Sequence, residues 1–332
     1  MLFALQRIAM RTHMLFCLIA VLLSLAFGDA HAIAQTTLRV GHFPNITHTQ
    51  ALVAHALSRQ GKGVFERHLG GDVKIEWYVY NAGPSAMEAI FAKSIDLTYV
   101  GPNPAINAYA KSRGAEVRIV AGSADGGAAL VVHTDSALKA PADFRGKTIA
   151  TPQLGNTQDV TARAWLAAGG LKITQAGGDA QVIPTANPDQ LSLFKQKQLD
   201  AVWTVEPWVS RLEMEANGKV LVDDKTSITT VLVARAAFLA ENRNLVVKFV
   251  AAHRELTDWI KNNPQEAQRL AREELLAETR TDVGPQLIAR AWQRIILTTD
   301  ISADALNAFV ASAQTAGFLR NAPDMGRLIE KP

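Results

Sequence analysis

The residues best placed by type and spacing to do chemistry are Thr151-Pro152-Gln153-Leu154-Gly155-Asn156-Thr157-Gln158-Asp159. They follow a β-like run, 147–150, and open a helical run, 160–168, in which Val160, Ala164 and Ala167 recur at helical spacing. A strand, a glycine-containing loop and a polar helix start together can hold a small anion. The first N–H groups of a helix lack internal partners, and the aligned peptide dipoles make that end locally positive. Gly155 allows close approach to the backbone, and Asn156, Thr157 and Gln158 add neutral donors. The same residues also suit an ordinary helix start, with Asn156 as N-cap and Asp159 as its capping-box partner.

Other chemistries fail on residue type. Cys17 is the only cysteine and lies in the expected leader, so the mature chain has no disulfide, thiolate nucleophile or cysteine metal site. Gly146-Lys147-Thr148 is not a phosphate loop, because the first motif glycine would fall on Pro141. Neither H-E-x-x-H nor G-x-S-x-G occurs. His42 and His48 sit beside a strand end, where a histidine ordinarily serves as a structural hydrogen-bonding group. His48 and His55 have no carboxylate cluster near them in the sequence, so no metal site is expected, and no cofactor. Trp165, Trp203, Trp259 and Trp292 read as core residues. Lys plus Arg number 34 against 31 Asp plus Glu, without a basic run interleaved with aromatics, which excludes a nucleic-acid footprint.

Positioning these residues requires an alternating α/β chain. Arg7 and Arg11, the apolar run 14–27 and Ala32-Ile33-Ala34 predict a secretory signal peptide cleaved before Gln35. Cleavage removes Arg7, Arg11 and Asp29 and takes the formal charge from +3 to about +2. Strands are expected at 38–43, 73–79, 96–100 and 117–121, with helices at 50–58 and 85–93 and another opened by Asn103 as N-cap before Pro104. Asp125-Gly126-Gly127 breaks the rhythm, and the strand 128–133 follows with no helix before it. A first chain crossing is expected there. A second lobe then has strands at 148–150, 181–183, 201–205 and 220–222, with helices starting near Thr157, Pro188 and Pro207. Strand 229–234 is the expected return, and the chain is helical from Arg243 onward. Each lobe is predicted to be a mostly parallel sheet flanked by helices.

Several segments, in this order and spacing, resemble the nitrate, sulfonate and taurine family of periplasmic binding proteins of ABC importers. They are Arg39-Val40-Gly41-His42-Phe43-Pro44-Asn45-Ile46-Thr47-His48, Asp96 through Asn107, Leu154 through Asp159, and Val205-Glu206-Pro207-Trp208. The resemblance covers nearly the whole mature chain. It implies a two-lobed periplasmic binding protein fold (type II) with two chain crossings, a ligand cleft between lobes, and delivery of a small anionic solute to ABC permease subunits carrying a cytoplasmic ATPase. The expected division is 1–34 signal peptide, 35–127 and 229–332 lobe 1, and 128–228 lobe 2. A periplasmic monomer is expected, binding neither nucleic acid nor metal.

In such a fold ligands bind beyond the carboxyl ends of the strands. The candidate ligand residues there are Asn45, Thr47 and His48; Gly101 and Asn103; Gly155, Asn156, Thr157 and Gln158; and Glu206 and Trp208. Glu206 has two readings: a cap for the helix that Pro207 begins, or a partner for an ammonium group on the ligand, with Trp208 packing its alkyl part. The competing functions are an enzyme on the same fold, related to thiamine-pyrimidine synthesis, and a periplasmic ligand sensor. The cysteine-rich iron segment of the thiamine-pyrimidine enzymes is absent here.

Overall fold

The structure, a computed structural model, describes residues 35–332; the expected signal peptide, 1–34, lies outside the described residues. The chain runs β1 (Thr36–His42), a first 3-10 turn (Ile46–His48; a second, Pro141–Phe144, precedes β6), α1 (Thr49–Arg59), α2 (Val64–Leu69), β2 (Val73–Val79), α3 (Gly83–Phe91), β3 (Leu97–Val100), α4 (Pro102–Lys111) and β4 (Val117–Gly126). It continues through β5 (Ala128–His133), β6 (Thr148–Thr151), α5 (Thr157–Ala168), the short hairpin β7 (Ile173–Thr174) and β8 (Gly177–Gly178), β9 (Gln181–Pro184), α6 (Asn187–Lys195), β10 (Ala201–Val205), α7 (Trp208–Glu215) and β11 (Gly218–Asp224). Then come β12 (Ile228–Arg235), α8 (Ala236–Glu241), α9 (Arg243–Asn262), α10 (Pro264–Thr279), α11 (Pro285–Trp292), β13 (Ile295–Leu297) and α12 (Ala303–Thr315).

These elements build two sheets, of order β13-β4-β12-β3-β1-β2 and β11-β5-β10-β6-β9. Both are mixed. The βα units pair in parallel, β1 with β3 and β6 with β9 and β10, as their crossover helices require. The crossing strands pair antiparallel: β12 with β3 and β4, and β5 with β10 and β11. Both crossing strands fall where they are expected, but their antiparallel pairing makes the sheets mixed rather than mostly parallel; a partner distant in sequence leaves no local mark.

The chain leaves the first sheet at Gly126 and enters the second at Ala128; it leaves the second at Asp224 and re-enters the first at Ile228. Gly126 and Gly127 have φ of +70° and +74°, the left-handed region that a side chain disfavours. A Cβ on Gly126 would stand 2.5 Å from the Arg294 carbonyl oxygen, so the first crossing needs glycine twice over. Strand β4 outruns its expected end at Ala121 because β12 pairs with it from Val117 to Asp125.

Residues Thr37–Pro332 form one compact unit. Strand β12 is buried along its full length, on both faces, as its run Val231-Leu232-Val233-Ala234 suggests. Helix α9 buries Val246, Phe249, Val250, His253, Leu256, Thr257 and Ile260, a stripe at helical spacing. Trp203 is in the second sheet's core with Trp165 against it, and Trp259 and Trp292 pack against the first sheet's core. Asp96, 1% exposed, holds the start of β3 to β1 and β12 through Arg39 at 2.9 Å and Arg235 at 3.1 Å.

His253 is fully buried on α9; its Nε2 lies 2.8 Å from the Gly122 carbonyl oxygen and its Nδ1 3.0 Å from the Tyr99 hydroxyl. Nε2–H therefore donates to the carbonyl, and Nδ1 accepts from tyrosine. Burial lowers its pKa to about 4. In the unfolded chain an imidazole titrates near ~6.5, so between the two values the unfolded state binds more protons. Its contribution is complete above pH ~6.5 and is lost as pH falls toward 4, on the order of 3 kcal/mol in all. Urea unfolding across that window should give a shallower pH dependence for His253→Gln than for wild type; parallel curves would show that His253 is not the titrating group.

Candidate functional site

The loops after β1, β2, β3 and β6 meet between the two sheets, beside the end of β10 at Val205. They line a small cavity of about 20 Å³ with Asn45, Thr47, His48, Asn81, Gly101, Asn156, Thr157, Gln158 and Thr229 among its walls. Asn156 is the N-cap of α5 and accepts the Asp159 N–H at 2.8 Å. Asp159 does not return a bond to Asn156. Its carboxylate accepts the Gly155 N–H at 2.9 Å and the Thr151 hydroxyl at 3.0 Å, and pairs with Arg163 at 3.1 Å. Both charged side chains are shut off from solvent, at 0% and 1% exposure, so the loop is anchored from behind. Thr157 faces the cavity with its Oγ1 buried and, among the described residues, without a partner.

Two helix starts of the other sheet face this loop. Helix α4 begins after Gly101 and α3 after Ala82, neither with a side-chain cap, and each has proline in its first turn. Gly101 packs so closely on α5 that a Cβ there would lie 2.3 Å from Thr157 Oγ1. Three helix N-termini thus converge on one cavity, and among the described residues no Lys or Arg lines it. His48 stays neutral: burial, then its neighbour His42, hold its pKa well below the usual imidazole range. Its Nδ1 accepts the Phe43 N–H at 3.3 Å, which leaves the proton on Nε2 as a donor. The site is positive through backbone dipoles and neutral donors.

A second space, of about 420 Å³, shares Asn45 and Asn81 with the first. Pro44, Leu191, Pro207, Trp208, Leu275 and Val283 make it largely apolar, with Arg211 at its side. The Arg211 guanidinium lies 4.8 Å from the Trp208 ring centre, and Trp208 Nε1–H donates to Asn45 Oδ1 at 3.1 Å. Other bonds span the sheets: Asn81 Nδ2 to the Pro152 carbonyl at 3.2 Å, Ser85 Oγ to Gln153 Oε1 at 3.0 Å, and the Ile46 N–H to the Glu206 carbonyl at 2.9 Å.

Several expected positions fall elsewhere. Asn103 is not the cap of α4, because Pro102 already presets the first helical residue and Gly101 takes the cap position. Its amide donates to the Phe309 carbonyl at 3.2 Å, toward α12, and it lines neither space. Gly155 borders a separate groove of about 310 Å³ with Leu154 and Phe318. Trp208 lines the larger space only. The Glu206 carboxylate accepts the Ser210 N–H at 3.1 Å and hydroxyl at 2.9 Å and pairs with Arg294 at 2.8 Å. It therefore anchors the start of α7 and reaches neither space, so the ammonium-reading role has no geometry behind it. His55, expected to lack carboxylate neighbours, has Glu274 at 2.7 Å and Glu278 at 3.3 Å, brought by α10. Asn81 was missed, although Asn81-Ala82-Gly83-Pro84 follows β2 and opens α3 in the pattern used to find the other loops.

Burial pushes the Glu206 carboxyl up, against the Ser210 N–H and the Arg294 charge. Glu206→Gln should lower the melting temperature, with about 1–3 kcal/mol lost, because Arg294 loses its buried counter-charge. It should leave the preference between amino-bearing and plain alkyl ligands unchanged; a selective loss of amino ligands in calorimetry would restore the contact role.

The sequence profile of the NMT1-like family matches residues 31–274. A protein of Brucella abortus (strain 2308) described as a binding protein is 28% identical over 258 residues, 75% of each chain. Among solved structures, the alkanesulfonate-binding protein from Xanthomonas axonopodis pv. citri, bound to MOPS, matches with TM-score 0.71 and 19% identity, covering 90% of this chain and 99% of that one. The periplasmic nitrate-binding protein from Synechocystis PCC 6803 matches with TM-score 0.67 and 16% identity, covering 86% and 82%. The fold is that of the periplasmic binding proteins. The family match spans well over half of the sequence, and the chain belongs to the NMT1-like family.

Proposed function

We propose that this protein binds a small organic oxyanion, a sulfonate with an alkyl or aryl tail, between its two sheets and delivers it to an ABC permease. The observation that carries this reading is the convergence of three helix N-termini on a cavity that, among the described residues, has no Lys or Arg in its walls and no partner for Thr157 Oγ1. A sulfonate stays charged at any physiological pH, and aligned N–H groups and hydroxyls can satisfy it without a counter-ion. The adjoining apolar space beside Trp208 suits the tail. The name of the Brucella relative, and the sulfonate and nitrate named for the two structural neighbours, support a binding role over turnover. Export to the periplasm, a monomeric state and docking on permease subunits complete the proposal. Residues 35–127 with 229–332, and 128–228, act as two lobes that close about the crossings at Gly126–Ala128 and Asp224–Ile228.

Thermal melts and calorimetry against an alkanesulfonate series test this, and ligand should raise the melting temperature. Thr157→Ala should weaken every sulfonate at least tenfold, about 1.5–3 kcal/mol for one charge-assisted bond. Gly101→Ala should leave the ligand-free fold intact, since Gly101 has φ of −68°. It should nonetheless weaken binding by about 1–3 kcal/mol, because the added carbon wedges Thr157 away. Sulfonates that bind neither variant nor wild type would refute the ligand class. A Gly101→Ala protein that binds like wild type would refute closure at this contact.

A further inference from the structure

Beneath the cleft loop after β1, four side chains gather that the solute site does not use. His42 ends β1, His55 is on α1, and Glu274 and Glu278 lie one turn apart on α10. His42 Nε2, His55 Nδ1 and a carboxylate oxygen of Glu278 all lie within 4.8 Å of one another. His42 Nε2 is 2.9 Å and His55 Nδ1 3.3 Å from Glu278 Oε1. The His42 side chain is fully buried, and those of Glu274 and Glu278 are 1% and 2% exposed.

The hydrogen bonding around this cluster is incomplete. His42 Nδ1 lies 3.3 Å from the Phe43 carbonyl oxygen, to which it can only donate, so Nε2 turns its lone pair inward. Among the described residues, Nε2 makes no directed hydrogen bond, and Glu278 Oε2 has no partner at all. Glu274 is already matched by Arg59 at 3.0 Å. Two imidazole nitrogens and a carboxylate therefore face one another in a buried space, where atoms this close are satisfied either by shared protons or by a metal cation between them. Trp77 fixes both rings, stacked on His55 with centroids 5.5 Å apart and edge-on to His42 at 5.6 Å.

We propose that His42 Nε2, His55 Nδ1 and Glu278 form a binding site for a divalent transition metal of the zinc class. Such an ion takes imidazole and carboxylate ligands at about 2.0–2.1 Å in a tetrahedron, which sets its ligand atoms about 3.3 Å apart. The spacings of 2.9 and 3.3 Å are already close to that. Glu274 Oε1, 2.7 Å from His55 Nδ1, accepts from that nitrogen while it carries a proton, so metal binding would release the proton and replace this bond. The site ties β1, whose next residues form the cleft loop Phe43–His48, to α10, whose last residue Thr279 borders the larger ligand space. The metal would brace one wall of the cleft without touching solute, and the proposal is independent of which solute binds.

The test uses chelator-stripped mature protein titrated with Zn²⁺ and Co²⁺ alone. One equivalent of Zn²⁺ should bind and raise the melting temperature, and Co²⁺ should give the intense visible bands of tetrahedral coordination. His55→Gln and Glu278→Gln should each weaken Zn²⁺ at least tenfold. Should either fail to fold, native mass spectrometry of wild type for a one-to-one zinc complex, with cobalt absorption reporting imidazole ligation, decides alone. Absence of stoichiometric binding would mean that protons alone occupy the cluster and would overturn the proposal. So would binding unchanged in both variants, which would move the metal to a surface pair such as His68 and Glu255, 2.6 Å apart.

Discussion

The buried Asp159–Arg163 pair is the constraint on which the candidate site rests. Two charges taken fully out of water are expensive, and the pair is tolerable only because nearly every polar atom has a partner. Asp159 also holds the Gly155 N–H and the Thr151 hydroxyl, and Arg163 reaches the carbonyls of Thr174 and Val182. The consequence is directional. The carboxylate that could have satisfied the front of the helix start is used behind it, fixing the loop from Thr151 to Asn156, while the front of α5 with Thr157 remains open to the cleft. An anion site built on backbone dipoles works only if the backbone cannot turn away, and this anchor supplies that rigidity.

Neutral donors have a second effect. A lysine or arginine in the cavity would bind any anion strongly and release it slowly. Helix ends and hydroxyls discriminate by geometry, and under the proposed closure their hold would fall on opening, since the three helix starts come from both sheets. The tight passage of Gly101 over Thr157 makes the same point sterically: the cavity exists in this form only while the two faces touch. In the proposed closure, the Gly126–Gly127 crossing is where such motion would be taken up.

Much of this was legible in the sequence, for reasons that can be named. Alternating strands and helices are marked locally by periodicity, so 73–79, 128–133 and 201–205 match the observed strands in full. The Asp125-Gly126-Gly127 break marked the first passage between sheets because positive φ there admits little but glycine. What could not be read were partners far apart in the chain. Arg294 meets Glu206 from 88 residues away, and Glu278 meets His55 from 223 residues away. No local pattern records such pairings, and so Glu206 was left between two roles and His55 was set aside. Asn103 failed for a local reason: a proline one residue earlier moved the helix start and turned the side chain toward α12.

The central claim is that the site recognises negative charge through neutral donors. Calorimetric titration of wild type with a matched pair, an alkyl sulfonate and the methyl sulfone of the same chain, tests it most directly. The account predicts that the sulfonate binds at least a hundredfold more tightly, from two or more charge-assisted bonds of about 1.5–3 kcal/mol each. Equal affinity for the uncharged sulfone would contradict it.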